Sequence, residues 1–447
     1  MIEKHDMTQG KILLPLVSFT IPLVLGNLFQ LTYNAADSVI VGKYVGEQAL
    51  AAVGTSTPIM NIAILLISGM CMGASVLMSS QYGAKDYDTL SKQISTTMLA
   101  GCGFSVVFSL LMLLLATPVL RLIRVPETAI PEAAVYLRII FLGLIFTFIY
   151  NFLANTMRAL GDSKTPLYFL VTSAFLNIFG DLFFVVVLRW GVAGSAIATV
   201  CSEGLCCLLC GIYIKKKIPL LCLGKKWWVF DKSLLGKTVS YGSTSAMQQV
   251  CLQLGKLIIQ SVVNTQGVAV MAAFTAVNRV DDFAYTPQQN IGHAMTTFLA
   301  QNKGAGHKER MKKGFQTGLL IELVYSIGLF CVIWGLAPQI MTLFAEDGDA
   351  QVVSLGISYL HLISWMYILP GLTNGVQGFF RGIGDLKVTL YSTFMNMFGR
   401  VVAVFVMIRL LQMEFASLAW ANMVGWIVML LFEVPLLVKS MRNGECG

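Results

Sequence analysis

Three short stretches combine acids with amide or hydroxyl oxygens at helical spacing. Asn27, Gln30, Asn34 and Asp37 follow one another at intervals of three, four and three residues. On a helix that spacing places all four on one face of a segment otherwise rich in Leu, Ile and Val. Asn177 and Asp181 form an i,i+4 pair in NIFGD, and Thr199 and Glu203 form another in TVCSE. Carboxylates grouped with Asn and Thr oxygens in an apolar setting make a site for a small cation. They can ligate Na⁺ through hard oxygens. Alternatively, desolvation and mutual repulsion favour the neutral form of one carboxyl, which then carries a proton. The residues leave both chemistries open. The bland reading of the first stripe is a hydrogen-bonded seam between helices that ends in an Asp near the surface.

The elements that must position these groups follow from composition. The chain has 447 residues, 56% of them hydrophobic and 12% charged. Soluble proteins carry about 25% charged residues. Mean hydropathy is +0.74. A single soluble core stops growing beyond ~250–300 residues, so this much apolar surface implies lipid as solvent. Apolar runs between charged or Gly/Pro breaks give twelve spans: 12–42, 49–80, 93–117, 133–157, 166–188, 193–214, 237–263, 268–301, 314–336, 354–380, 388–408 and 416–438. The runs are continuous rather than alternating, which predicts helices and not a barrel. Most of the ten Cys lie within such runs and read as small hydrophobes. The start, MIEKHDMTQGK, is polar and does not read as a cleavable signal.

Loop charge sets the orientation. With both termini in the cytoplasm, 22 Lys and Arg fall on the inside and five on the outside. That bias fixes the topology and removes a nucleic-acid reading of the net charge of +8. The longest inside connection, 215–236, is basic and carries Trp227 and Trp228, which suits lipid headgroups. It divides the chain into an N-lobe, 1–214, and a C-lobe, 237–447, each with six spans.

The halves repeat one another. NFLANTMRALGDSKTPLY (151–168) and NGVQGFFRGIGDLKVTLY (374–391) share seven of 18 residues at a constant offset of 223. Tyr136 and Tyr359 keep that offset, and Gly46/Gly267 and Ala84/Ala305 match at 221. Six is an even number, so the second copy enters the membrane in the same direction as the first. The expected architecture is all-α: two six-helix bundles related by a parallel pseudo-two-fold along the membrane normal. In secondary transporters of this type the substrate site lies between the halves.

The second half is polar in a different way. Gln249, Gln253, Lys256 and Gln260 line helix seven without an acid. Helix eight carries Asp281 and Asp282, with Arg279 three residues before Asp282 as a neutralising partner, or one Asp free to attract cationic cargo. Glu322, Glu433 and Arg400 are further ionisable groups within spans. The repeated R-x-x-G-D-x-K at 158–164 and 381–387 reads as a Gly-assisted cytoplasmic turn with paired charges. No Walker motif, Ser/His/Asp set, metal cluster or phosphate loop appears, so neither an ATP-driven pump nor a membrane hydrolase is indicated. A channel or receptor remains an alternative that the parallel repeat disfavours.

The run YNAADSVIVGKYVGEQALAAVG (33–54), RALGDSKTPL with LNIFGDLFFV, GVAGSAIATVCSE, AAFTAVNRVDDFAYTP and AQNKGAG resemble the multidrug and toxic compound extrusion (MATE) family, in particular its bacterial DinF- or MepA-like branch. The resemblance covers essentially the whole chain. It implies twelve helices in two V-shaped lobes around a central cleft, and antiport in which cargo leaves as H⁺ or Na⁺ enters. It maps a first-lobe cation site onto Asp37, Asn177, Asp181 and Thr199, with Glu203 close by, and adds Tyr33 and Asn151. It makes Pro22 the point where helix one bends. Asn27, Gln30, Asn34, Gln249, Gln253, Lys256 and Asp282 are then expected to face cargo. Some members use acids on helices seven and ten of the second lobe. This chain has Gln on helix seven and no acid from 354 to 380, which argues for coupling through the first lobe only. The expected protein is a monomer of the bacterial cytoplasmic membrane, without a cofactor, that moves amphipathic cations. The alternative within the superfamily is a flippase for lipid-linked oligosaccharide.

Overall fold

The computed structural model describes residues 6–123, 125–218, 228–344, 350–411, 415 and 417–442, apart from a few side chains that include Asn34. Arg124 and Lys225–Trp227 also lie outside the described residues. Thirteen α-helices follow in order: α1 (Leu13–Tyr44), α2 (Glu47–Gly83), α3 (Tyr87–Leu122), α4 (Ile130–Ala159), α5 (Lys164–Asp181), α6 (Gly191–Lys217), α7 (Lys232–Val263), α8 (Val268–Gly304), α9 (Lys308–Phe344), α10 (Ala350–Ser364), α11 (Ile368–Ile383), α12 (Leu386–Phe405) and α13 (Ser417–Arg442). A single 3₁₀ turn, Trp365–Tyr367, joins α10 to α11 into one rod. Each of the twelve expected spans therefore falls on one rod, and no strand occurs among the described residues.

Ten of these stretches are long and apolar enough to cross a membrane. The exceptions are α7 and α8, which carry the Gln stripe and the Arg279–Asp282 and Gln288–Asn290 clusters. Elsewhere the polarity is inverted relative to a soluble helix. On α3, Val107 and Leu114 are 67% and 78% exposed while Ser105 and Ser109 are buried. Ser109 spends its hydroxyl on the carbonyl of Phe141. Apolar side chains can face lipid at no cost, whereas these hydroxyls turn inside, where Ser109 has a partner and Ser105 Oγ has none among the described residues.

Two compact units form. One comprises Met1–Asp6 and Ile21–Ala246, the other Met7–Thr20 and Met247–Gly447. Each contains helices α1 or α7 only in part: α1 changes unit beside Pro22, and α7 does so at Ala246. In the first unit α4 packs against α2, α3 and α6, and α5 packs on α6. In the second, α8 packs against α11 and α9, and α12 against α13. Close approach there relies on missing side chains. A Cβ on Gly378 would stand 2.7 Å from the carbonyl oxygen of Gly292.

The repeat extends to the backbone. Gly46 and Gly267 open α2 and α8 at φ 116° and 102°, and Gly161 and Gly384 close α4 and α11 at 89° and 85°. Side chains rarely adopt such angles, which explains glycine at both copies. Both fifth rods also end in a π-helical turn, Leu182–Val187 after α5 and Val406–Leu410 after α12.

The R-x-x-G-D-x-K turn differs from the paired-charge expectation. Asp162 accepts from the backbone N–H of Lys164 and Thr165, both at 3.0 Å, and so caps α5. Arg158 forms no ion pair with it, and Arg381 is buried and donates to Gln377 Oε1 at 2.8 Å instead. The arginines point into the helix packing while the aspartates stay at the turn.

Candidate cation site

The first unit assembles the predicted acids. Asp37 on α1 and Asp181 on α5 stand beside one another. Ser195 on α6 donates to Asp37 Oδ1 at 2.8 Å. Asp181 is fully buried, yet neither of its oxygens has a donor. A bond between the two carboxyls therefore requires a proton on one of them. Asn177, one turn before Asp181, donates through Nδ2 to Thr199 Oγ1 at 3.2 Å, and the Thr199 hydroxyl donates in turn to the Ser195 carbonyl at 3.1 Å. The Asn177 side-chain oxygen is buried without a partner. Three oxygens, two from Asp181 and one from Asn177, are thus left as acceptors with nothing to accept.

A third acid adjoins this set. Glu203 lies one turn beyond Thr199, and Thr147 on α4 donates to its Oε2 at 2.5 Å. Tyr33, one turn before Asp37, is bonded to Gln30 and lies near both Glu203 and Asp37. Buried Tyr136 on α4 neighbours Asp37, Asp181, Tyr33 and Glu203. Asn151 does not join the acids directly. Its Nδ2 donates to the Thr147 carbonyl at 2.9 Å, so it braces the α4 turn that presents Thr147. No Lys or Arg forms an ion pair with Asp37, Asp181 or Glu203 among the described residues. Such a pocket concentrates negative charge and unpaired acceptors, which is what a proton or Na⁺ requires.

Three members were missed from sequence. Ser195 shares the i,i+4 stripe Ser195–Thr199–Glu203, a spacing that could have revealed it. Thr147 likewise precedes Asn151 and Asn155 at intervals of four. Tyr136 had a signal only as half of the Tyr136/Tyr359 repeat pair.

Of the residues expected to face cargo, Asn27 is half-buried and Gln30 exposed in the first unit. In the second, Gln249 and Gln253 are half-buried on α7. Asp282 pairs with Lys256 at 3.6 Å rather than with Arg279, and both partners are about half exposed. Asp281 faces inward instead. It is buried and accepts from the Tyr367 hydroxyl at 2.5 Å. Successive helical residues project about 100° apart, which separates these two acids into different roles.

Comparison with known proteins identifies the family of the chain. The MatE family model matches twice, at residues 22–183 and 245–407. The chain is 32% identical over 392 residues to the probable multidrug resistance protein YpnP of Bacillus subtilis, covering 87% of this chain and 86% of that one. It is 19% identical over 383 residues to the multidrug export protein MepA of Staphylococcus saprophyticus, covering 86% and 83%. The fold matches a solved outward-facing multidrug resistance MATE family transporter of the MOP superfamily with a TM-score of 0.90, at 22% identity and over 99% and 98% of the two chains. With two consecutive matches spanning both halves, the chain belongs to the MatE family of multi-pass multidrug efflux transporters.

Proposed function

We propose that the chain is a cation-coupled antiporter that exports amphipathic, cationic compounds by alternating access. The observation that carries this reading is the Asp37–Asp181 pair: Asp181 is buried with both carboxyl oxygens unpartnered beside half-buried Asp37, and among the described residues no Lys or Arg pairs with either. A transported H⁺ or Na⁺ supplies the missing charge. Asp37 and Asp181 bind the ion. Asn177, Thr199 and Glu203 complete the site, Tyr33 borders it, and Asn151 steadies its α4 wall. Asn27, Gln30 and Asn34 in the first unit, with Gln249, Gln253, Lys256 and Asp282 in the second, contact cargo that is held mainly by apolar and Met/Phe surface. Soft side chains that can repack suit a broad range of cargo.

Pro22 serves as the bend in α1. It cannot donate to the Ser18 carbonyl, so the helix is weakest where α1 changes unit. The positive-inside bias supports cytoplasmic termini, and the reading is completed by a monomer in the bacterial cytoplasmic membrane that works without a cofactor.

The test is efflux of a fluorescent cationic dye from proteoliposomes under imposed Na⁺ or pH gradients in turn. One gradient should drive efflux, and Asp37→Asn should abolish it while the protein still inserts. Full transport by that variant overturns the site. Passive current without counter-transport points to a channel.

A further inference from the structure

Among the described residues the second unit buries three acids, and two have company. Asp281 takes the Tyr367 hydroxyl and lies near Arg400. Glu433 lies near Ser392, Gln377 and the Arg381 guanidinium. Glu322 on α9 differs. It is 1% exposed, has no donor on either carboxyl oxygen and no charged group beside it.

Its surroundings can be counted group by group. From α8 comes Gln288, fully buried, whose Nε2 donates to Ser326 Oγ at 3.0 Å and to the Tyr367 carbonyl at 2.8 Å. Those acceptors fix the orientation of the amide. The other amide oxygen, Oε1, is left without a partner. From α11 comes Gly371, where a Cβ would meet Ser326 Oγ, Gln288 Nε2 and Glu322 Oε2 at 2.9, 3.2 and 3.4 Å. On α9 itself, Ser326 donates to the Glu322 carbonyl at 2.7 Å or to Tyr367 at 3.3 Å. Tyr325, the titratable neighbour on that helix, donates away to Ala284 at 3.1 Å. Asp281 on α8 and Arg381 on α11 belong to the other networks. The cluster therefore holds three unpaired acceptors, two on Glu322 and one on Gln288, and no spare donor.

We propose that Glu322 is a proton-binding site of the second unit, whose occupancy decides which group receives the Gln288 amide and the Ser326 hydroxyl. With the proton bound, Glu322 provides the missing donor, and Gln288 and Ser326 stay on the Tyr367 carbonyl. That carbonyl sits at the 3₁₀ break between α10 and α11, on the residue directly before Ile368, where the second segment starts. With the proton released to water, the carboxylate competes for the same two donors, because hydrogen bonds to a charged acceptor are about twice as strong as neutral ones. The break loses its ties, and Tyr367 is also the residue that holds Asp281. Proton binding and the geometry of the α10–α11 rod are then linked. The use of this proton in transport rests on the antiporter reading; its presence on Glu322 does not.

The experiment is infrared difference spectroscopy of the full chain in lipid across a pH titration. The wild type should show a protonated-carboxyl C=O band that bleaches as pH rises. Glu322→Gln should lack that component, and Asp37→Asn should retain it. If Glu322→Gln removes no band, or if the assigned band persists unchanged at every pH, the proposal fails. Should Glu322→Gln not fold, Ser326→Ala carries the test: a shift in band frequency or titration midpoint supports the proposal, and no change in either overturns it. Dye efflux under a pH gradient is read in the same preparation. Loss of gradient-driven efflux in the wild type refutes the antiporter reading alone, whatever the Glu322 band does.

Discussion

The two units are copies in sequence and opposites in their charge chemistry. At the offset of 223 kept by the turn and by the π-helical ends, Asn177 corresponds to Arg400 and Asp181 to Val404. The paired tyrosines persist: Tyr136 neighbours Asp37 and Asp181, and Tyr359 neighbours Asp281 and Arg400 while accepting from Asn422 at 2.7 Å. In the first unit the acids pool together without a cation. In the second, Asp281 and Glu433 each lie near an arginine, and among the buried acids of the described residues Glu322 stands alone. One duplicated bundle thus carries either a group of neighbouring acids with no Lys or Arg paired to them among the described residues, or separate acids, two of which lie near an arginine. At the equivalent positions an amide has become a guanidinium and an acid has become Val404, and a buried charge must be matched by a counter-charge or by a bound ion.

The comparison can be broken most severely by copying one unit into the other. Asn177→Arg should install the second unit's internal cation beside Asp37 and Asp181. Gradient-driven dye efflux should then fall to that of empty liposomes, and substantial retained coupling would contradict the equivalence. Asp181→Asn should give the same loss by removing the unpaired carboxylate. On the structural side, Gly378→Leu forces a side chain against the Gly292 carbonyl. Overpacking of this kind costs about 1–3 kcal/mol or more, so thermal unfolding in detergent should begin at distinctly lower temperature. Gly211→Leu, with nothing within 4 Å of its added Cβ, is the control and should leave the transition in place. A smaller effect is expected from Ser195→Ala. Losing one hydrogen bond of ~0.5–1.5 kcal/mol should move the ion concentration for half-maximal efflux by roughly 2–10-fold. The smallest belongs to Lys256→Ala. Its half-exposed pair with Asp282 is worth ~0–1 kcal/mol, so stability should hardly change.

The amino-acid order alone determined the solvent, the twelve rods, the duplication and the acids that gather in the first unit. These depend on short-range rules: an apolar run long enough to cross lipid must be helical, and polar residues at intervals of three and four must share a face. The Asp37 and Asp181 groups also stood out because an acid inside an apolar run is rare and costly. What the order did not contain was partner choice. Ser195 and Thr147 as donors, Lys256 rather than Arg279 beside Asp282, and the inward course of Arg381 each depend on which helices abut and at what rotation. The isolation of Glu322 is of the same kind. Its neighbours Gln288 and Gly371 lie 34 and 49 residues away in the chain, and only packing of α8, α9 and α11 decides that no donor reaches it.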